Sequence, residues 1–268
     1  MSKHWTERMF VEKPSLFGTA LEKAIDRASS EVAGLEKIFS QFGVSANGLV
    51  LDLCCGIGRH SVLLAEKGYM VVGVDLSPEF VTRAKEMAIE RHVGEKVDLR
   101  VGDMRQIGNL LADHKRKFDA VLNLYTSIGY YDEETDRDVL TQVLGLTATE
   151  GILVIETKNR DHLIRNFRQR DIDYVSDDLA LIEERRLGLE NSRVESVWKY
   201  YRKQEDELTF IDKFEVDHRV YSLHELKKLV EKSGWKYETC YGSFLMESLT
   251  MNSNRMILVA RKMCDHPQ

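Results

Sequence analysis

The chain has 268 residues and a formal net charge of −6, with 43% hydrophobic and 31% charged residues. That balance belongs to a globular protein with a full core and excludes general disorder. An acidic chain also repels the phosphate backbone unless it carries a local basic patch, so nucleic acid is disfavoured as a partner.

The opening Met1-Ser2-Lys3-His4-Trp5-Thr6-Glu7 lacks the apolar run of a signal peptide, and no stretch approaches the ~20 apolar residues of a membrane span. Residues 1–45 read as helical, with Ala20, Leu21, Ala24, Ile25, Ala28, Val32, Leu35, Ile38 and Phe39 at i, i+3, i+4 spacing. Pro14 divides the segment in two, and Asn47-Gly48 marks a turn. A strand, Leu49-Val50-Leu51-Asp52-Leu53, runs into Cys54-Cys55-Gly56-Ile57-Gly58, and a helix from His60 to Lys67 is closed by Gly68. A second buried strand, Met70 to Val74, ends at Asp75; Ser77 and Pro78 open the next helix. Val97–Val101 and Phe118–Leu124 read as strands three and four, Glu133–Ala148 as a helix, and Ile152–Ile155 as strand five. Strands alternating with helices predict a parallel, doubly wound α/β sheet covered on both faces.

The alternation then breaks. After a helix over residues 161–169, three extended segments are expected. Val194, Ser196, Trp198 and Tyr200 share one face of the second; Leu208, Phe210, Phe214, Val216 and Val220 share one face of the third. Arg165, Arg168 and Arg170 are interleaved with Asp161, Asp171 and Asp173, which reads as a solvated mixed-charge face. Ser222 and Glu225 form a capping box for a further helix, followed by two strands, about 236–241 and 255–260, in antiparallel pairing. The chain therefore divides into a helical segment or lid (1–45), a binding domain (46–160 with 221–264) and a small antiparallel β insertion after strand five (161–220) that covers the substrate.

The stretch Asp52 to His60 carries the chemistry. A strand enters a two-glycine turn from which a helix starts, so the backbone can approach a ligand and the free N–H groups of the helix face it. Asp75 ends the neighbouring strand, where an acid accepts from ribose hydroxyls in nucleotide-binding α/β folds. A dinucleotide fingerprint needs a third glycine, but His60 and Ser61 follow Gly56-x-Gly58. Asp52 before the turn repels a pyrophosphate and attracts an ammonium. Both features favour S-adenosylmethionine over a nicotinamide dinucleotide.

The chain resembles the class I methyltransferases. Their D/E-x-G-x-G-x-G motif matches Asp52-x-Cys54-x-Gly56-x-Gly58, with Cys54 in place of the first glycine. The strand-end acid falls on Asp75, the adenine-flanking Asp on Asp103 in Gly102-Asp103-Met104, and the strand-four motif on Asn123-Leu124-Tyr125. The resemblance implies a Rossmann-like seven-stranded sheet of order 3-2-1-4-5-7-6 with the last strand antiparallel. It implies S-adenosylmethionine as cofactor and is greatest to bacterial and archaeal small-molecule methyltransferases, including N-methyltransferases. By that resemblance Asp52 orients the methionine amino group, while Cys54, Gly56 and Gly58 line the turn around methionine and sugar. Asp75 binds the ribose, Asp103 the adenine amino group, and Leu76 and Met104 flank the ring, beside Asn123.

The expected reaction is methyl transfer to N or O of a small molecule. Methylation of RNA or protein, and cofactor binding without catalysis, are the alternatives. Substrates of open α/β sheets sit beyond the carboxyl ends of the strands, which points to Tyr125, Ser127, Tyr130, Asn159 and Arg160. Trp5 and Phe10 are candidates to roof the pocket. A general base is needed only if the acceptor arrives protonated; Tyr125 and His218 are the candidates, and His218 reads equally as a satisfied buried histidine. Arg59 can pair with the cofactor carboxylate or with a surface acid, the latter being favoured, and His60 reads as a cap or core residue rather than a ligand contact. The four cysteines, Cys54, Cys55, Cys240 and Cys264, show no C-x-x-C spacing, so no metal site is expected, and a reducing, cytoplasmic setting is. The aromatic insertion has two ways to bury its face: on its own domain or in a homo-oligomer.

Overall fold

Apolar runs too hydrophobic for a one-sided sheet place the first strands in the middle of the protein. The computed structural model describes residues 3–115 and 117–263; Met1, Ser2 and Cys264 lie outside them. In chain order the elements are α1 (Trp5–Glu7), a π-helical turn (Arg8–Glu12), α2 (Pro14–Lys23), α3 (Ile25–Phe42), β1 (Leu49–Leu53), α4 (Arg59–Glu66), β2 (Met70–Asp75), α5 (Pro78–Glu90) and β3 (Val97–Val101). They continue with α6 (Ile107–Leu110), β4 (Phe118–Asn123), α7 (Glu133–Leu146), β5 (Thr147–Lys158) and α8 (Arg160–Arg165). The insertion holds β6 (Arg170–Tyr174), β7 (Leu179–Gly188), β8 (Arg193–Gln204) and β9 (Glu207–Arg219), and the chain closes with α9 (Leu223–Lys232), β10 (Trp235–Tyr241) and β11 (Arg255–Lys262).

The main sheet has seven strands in the order β10-β11-β5-β4-β1-β2-β3, with β11 antiparallel to both neighbours and the other ladders parallel. Successive side chains point to opposite faces, and each face is covered. On one, Val50, Val71, Leu122 and Val154 pack with Leu35, Ile38 and Phe39 of α3 and Val62 of α4. On the other, Leu51, Leu53, Val121 and Ile155 pack with Val139 and Val143 of α7 and Leu226 and Val230 of α9. The doubly wound fold and its strand order are those implied by the sequence.

The insertion differs in detail. It has four strands, in the order β6-β7-β8-β9, where three were expected; β6 reads Arg-Asp-Ile-Asp-Tyr and is largely exposed, so it has no apolar alternation to betray it. The predicted face of β9 is also broken. Tyr200 pairs with Asp212 and Tyr201 with Phe210, leaving Ile211 as a bulge. One extra residue flips the side-chain direction. Phe214 and Val216 are buried, whereas Leu208 and Phe210 face solvent. Tyr200, Phe214 and Val216, with Leu179 and Leu181 of β7, join the core cluster that contains Met9 and Phe10, so the insertion buries this face on its own chain. β5 begins at Thr147, earlier than expected, because Thr147 leaves the helix in an extended conformation while its hydroxyl donates to the Val143 carbonyl at 2.7 Å.

Candidate active site

The turn after β1 is built on left-handed backbone. Cys54 (φ 64°), Gly56 (φ 57°) and Gly58 (φ 77°) all lie there, a region open to glycine and costly for other residues. Cys54 therefore stands in left-handed geometry at the motif position where a glycine is usual. At Gly58 a Cβ would lie 2.7 Å from the Ala84 Cβ, so that glycine serves the packing of α5 against the turn. Asp75 braces the turn: one carboxylate oxygen accepts the Gly56 N–H at 2.8 Å and the other the Ser77 N–H at 2.9 Å. Burial pushes its pKa up to about 6 despite these two donors. Asp52 is buried behind the turn and accepts the Ser61 hydroxyl at 2.6 Å, which ties β1 to the first turn of α4.

A narrow cavity with about 50 Å³ of water-accessible space opens in front of this turn. The carboxyl ends of four strands line it: Cys54 and Gly56 after β1, Asp75 and Leu76 after β2, Gly102 to Met104 after β3, and Tyr125, Ser127 and Tyr130 after β4. Thr6, Phe10, Phe17 and Leu21 close it from the amino-terminal segment. Phe10 packs edge-on against Phe17 at 5.0 Å, and Trp5 edge-on against Tyr130 at 5.1 Å. At Asp103 burial works to raise the carboxyl, but hydrogen bonds from Arg105 outweigh it and hold the group below its usual range.

The loop after β4 carries the least expected arrangement. Tyr125 (φ 57°) and Thr126 (φ 68°) are consecutive left-handed residues. Glu156 of β5 holds them there: its carboxylate accepts the Tyr125 N–H at 2.6 Å and its carbonyl the Thr126 N–H at 3.0 Å. Arg255 of β11 completes the clamp, 3.0 Å from the Glu156 carboxylate and 2.6 Å from the Thr126 hydroxyl. The Tyr125 ring has three guanidinium groups around it: Arg59 at 4.6 Å, Arg27 at 5.0 Å and Arg255 at 5.4 Å. Arg59 is not paired with a surface acid, as its sequence position suggested. It is 3% exposed, lines the cavity, and its Nε and Nη2 have no hydrogen-bond partner. The preceding turn aims it inward, a direction invisible in sequence.

The cavity thus gathers Cys54, Gly56, Asp75, Leu76, Asp103, Met104, Tyr125, Ser127 and Tyr130 of the expected site residues. Asp52, Gly58, Asn123, Asn159, Arg160 and His218 do not line it. Asn159 caps α8 and donates to the carbonyls of Thr250 and Ser253. Arg160 lies beside Asp161 on the same helix. His218 donates its Nε2–H to the Ile128 carbonyl at 2.8 Å, and burial lowers its pKa to about 4, so the ring is neutral. His60 is a core residue bonded to Glu31 at 2.7 Å. Thr6, Phe17, Leu21, Val74 and Phe80 are lining residues that sequence reasoning missed.

Residues 50–151 match a methyltransferase domain family. The chain is 24% identical over 231 residues to the Bacillus subtilis (strain 168) protein YqeM, of the methyltransferases, covering 80% of this chain and 84% of that one. It is 30% identical over 155 residues to the glycine/sarcosine N-methyltransferase of Aphanothece halophytica, covering 57% of this chain and 55% of the relative. In fold it is similar to an S-adenosylmethionine-dependent methyltransferase from Clostridium acetobutylicum ATCC 824, with a TM-score of 0.74 at 15% identity over 87% of this chain and 91% of that one. The chain carries a methyltransferase domain at residues 50–151 and has the fold of the S-adenosylmethionine-dependent methyltransferases, whose cofactor is S-adenosylmethionine. Among the described residues no helix is long and apolar enough to cross a membrane.

The cavity fits that cofactor in kind: unpaired buried guanidinium donors suit a carboxylate, the Asp75 carboxylate suits hydroxyl donors, and Leu76, Met104 and Phe80 offer an apolar slot. In extent it is closed down, since drug-sized ligands occupy sites of ~300–1,000 Å³.

Proposed function

We propose that the protein methylates a nitrogen atom of a small molecule. The observation that carries the small-molecule reading is the roof: Phe10, Phe17 and Leu21 from the amino-terminal segment close the cavity, which leaves no open face for a folded macromolecule. The N-methyltransferase relatives support nitrogen as the acceptor atom.

When bound, S-adenosylmethionine supplies a methyl group already activated on a sulfonium. The task of the chain is therefore placement and exclusion of water. Asp75 accepts from the ribose hydroxyls while Gly56 allows close backbone approach. Arg59 meets the methionine carboxylate with its free donors. Met104 and Leu76 flank the adenine, with Asp103 at its edge. Asp52 acts from behind, by fixing the helix start. The acceptor lies against Tyr125, Ser127 and Tyr130. Tyr125 positions it rather than taking its proton, and His218, neutral and bonded to a carbonyl, shapes the loop from outside. An amine presented in its neutral form needs no protein base.

The test is methyl transfer from isotopically labelled S-adenosylmethionine to panels of small amines, alcohols, RNA and denatured protein, read by mass spectrometry. Labelled methylamine products support the reading. Label appearing only in ethers, RNA or protein overturns it.

A further inference from the structure

Of the guanidinium groups around the Tyr125 ring, two have an acid at ion-pair distance. Arg27 of α3 is 3.1 Å from Glu31, and Arg255 of β11 is 3.0 Å from Glu156. Arg59, at the start of α4, rests 4.6 Å from the ring centroid, and its Nε and Nη2 have no hydrogen-bond partner. Hydrogen bonds at those two atoms therefore do not set its direction. The ring does, because a guanidinium is drawn to a π face.

The ring is in turn placed by its backbone. Tyr125 and Thr126 are both left-handed, a conformation that residues other than glycine keep only where the surroundings impose it. A return of Tyr125 to ordinary backbone would swing its side chain in a new direction. Glu156 prevents this: its carboxylate accepts the Tyr125 N–H at 2.6 Å and its carbonyl the Thr126 N–H at 3.0 Å. Arg255 braces both groups, since it also donates to the Thr126 hydroxyl at 2.6 Å. Glu156 is buried, and a buried ion pair is a weak source of stability, so the geometry that it enforces is its larger contribution. The contacts run without a gap from Arg255 through Glu156 and Tyr125 to Arg59, and the last two line the cavity. Asp75 lies outside this chain of contacts, fixed instead by the Gly56 and Ser77 N–H groups.

We propose that Glu156 is a positioning residue for the cofactor: by holding Tyr125 left-handed, it aims the Arg59 guanidinium at the methionine carboxylate. The proposal rests on the reading of Arg59 as the group that meets that carboxylate. It gives Tyr125 a part in cofactor binding beside its contact with the acceptor. The amino-acid end of the cofactor, and not the nucleoside end, is the part that Glu156 governs.

Two probes separate those ends. S-adenosylhomocysteine carries the carboxylate, and 5′-methylthioadenosine is the same thioether nucleoside without the amino-acid part. Calorimetry on the full chain measures both for the wild type, Glu156→Ala, Glu156→Gln, Arg59→Met and the double variant of Glu156→Ala with Arg59→Met. Glu156→Ala is expected to weaken S-adenosylhomocysteine by at least ~10-fold, the scale of a charge-assisted hydrogen bond, and to leave methylthioadenosine within ~3-fold of the wild type. Glu156→Gln keeps a carbonyl oxygen for the Tyr125 N–H and should restore S-adenosylhomocysteine to within ~3-fold. With Arg59→Met already present, Glu156→Ala should add no further loss, because the two act on one contact. A general loss of structure weakens both probes alike; that result, unchanged binding of S-adenosylhomocysteine by Glu156→Ala, or additive losses in the double variant overturns the proposal. Should Glu156→Ala not fold, Tyr125→Asn decides: asparagine tolerates left-handed backbone but has no ring, so selective loss of S-adenosylhomocysteine supports the proposal and equal loss of both probes overturns it. Unchanged S-adenosylhomocysteine affinity in Arg59→Met refutes instead the role of Arg59 from which the proposal starts, and a wild type that binds neither probe refutes the cofactor.

Discussion

The guanidinium carbon of Arg59 lies 4.6 Å above the ring of Tyr125, and two of the three guanidinium nitrogens, Nε and Nη2, are buried with no hydrogen-bond partner. A buried cation resting on a π face, with donors to spare, is set up for an anion and costs stability while it waits. Arg59→Met should weaken S-adenosylhomocysteine binding by ~10–100-fold, the value of a charge-assisted hydrogen bond. The melting temperature of the ligand-free variant should equal or exceed that of the wild type. Calorimetry and thermal unfolding check both; unchanged affinity would remove Arg59 from the cofactor site.

Asp75 offers a proton-linked signature. Its folded pKa of about 6 stands above its ordinary 3.8 because it is buried. The protonated form is thus favoured by folding, and this contribution to stability is lost as pH rises from 3.8 through about 6. Ribose hydroxyls donating to the carboxylate favour the charged form, so cofactor binding near pH 6, where the group is half protonated, should release up to about half a proton. Calorimetry in two buffers of different ionisation enthalpy should detect the release near pH 6, find none near pH 8, and find none in Asp75→Asn, which should also bind more weakly. Equal proton release by the variant would assign the titration elsewhere.

His218 titrates in the opposite sense. Its folded pKa of about 4 is below the ordinary 6.5, through burial first and nearby cations after it. Its contribution to stability is present above 6.5 and is lost as pH falls through about 4. Nuclear magnetic resonance should therefore show ring signals of a neutral imidazole, flat from about pH 5.5 to 8. A midpoint near 6.5 would restore His218 as a candidate base.

A purely mechanical prediction concerns Gly34 of α3. A Cβ there would fall 2.2 Å from the Phe244 carbonyl oxygen and 2.6 Å from its Cβ. Alanine is the better helix former by ~1 kcal/mol, but overpacking costs ~1–3 kcal/mol, so the clash should win. Gly34→Ala should lower the midpoint of urea unfolding; a rise would show that α3 shifts freely.

The parallel core was legible because its strands are short apolar runs between helices whose caps, such as Ser77-Pro78 and Ser222 with Glu225, are written locally. The turn and its two acids were legible because glycine spacing encodes backbone geometry. What escaped depends on direction or on register. The bulge at Ile211 reverses a face without altering composition, and β6 pairs through its backbone with few buried side chains. Phe17 and Leu21 line the cavity because tertiary packing turns them inward, and nothing in their immediate neighbours says so.

The segment that roofs the cavity precedes the sheet in the chain, and its fixtures come late. The indole of Trp5 donates to the carbonyl of Asp217, 212 positions away. Docking of the roof on β9 must then await residues made long after β1 to β4, and contacts so far apart in sequence slow folding. A chain interrupted before β9 would bear the nucleoside seat yet leave it uncovered.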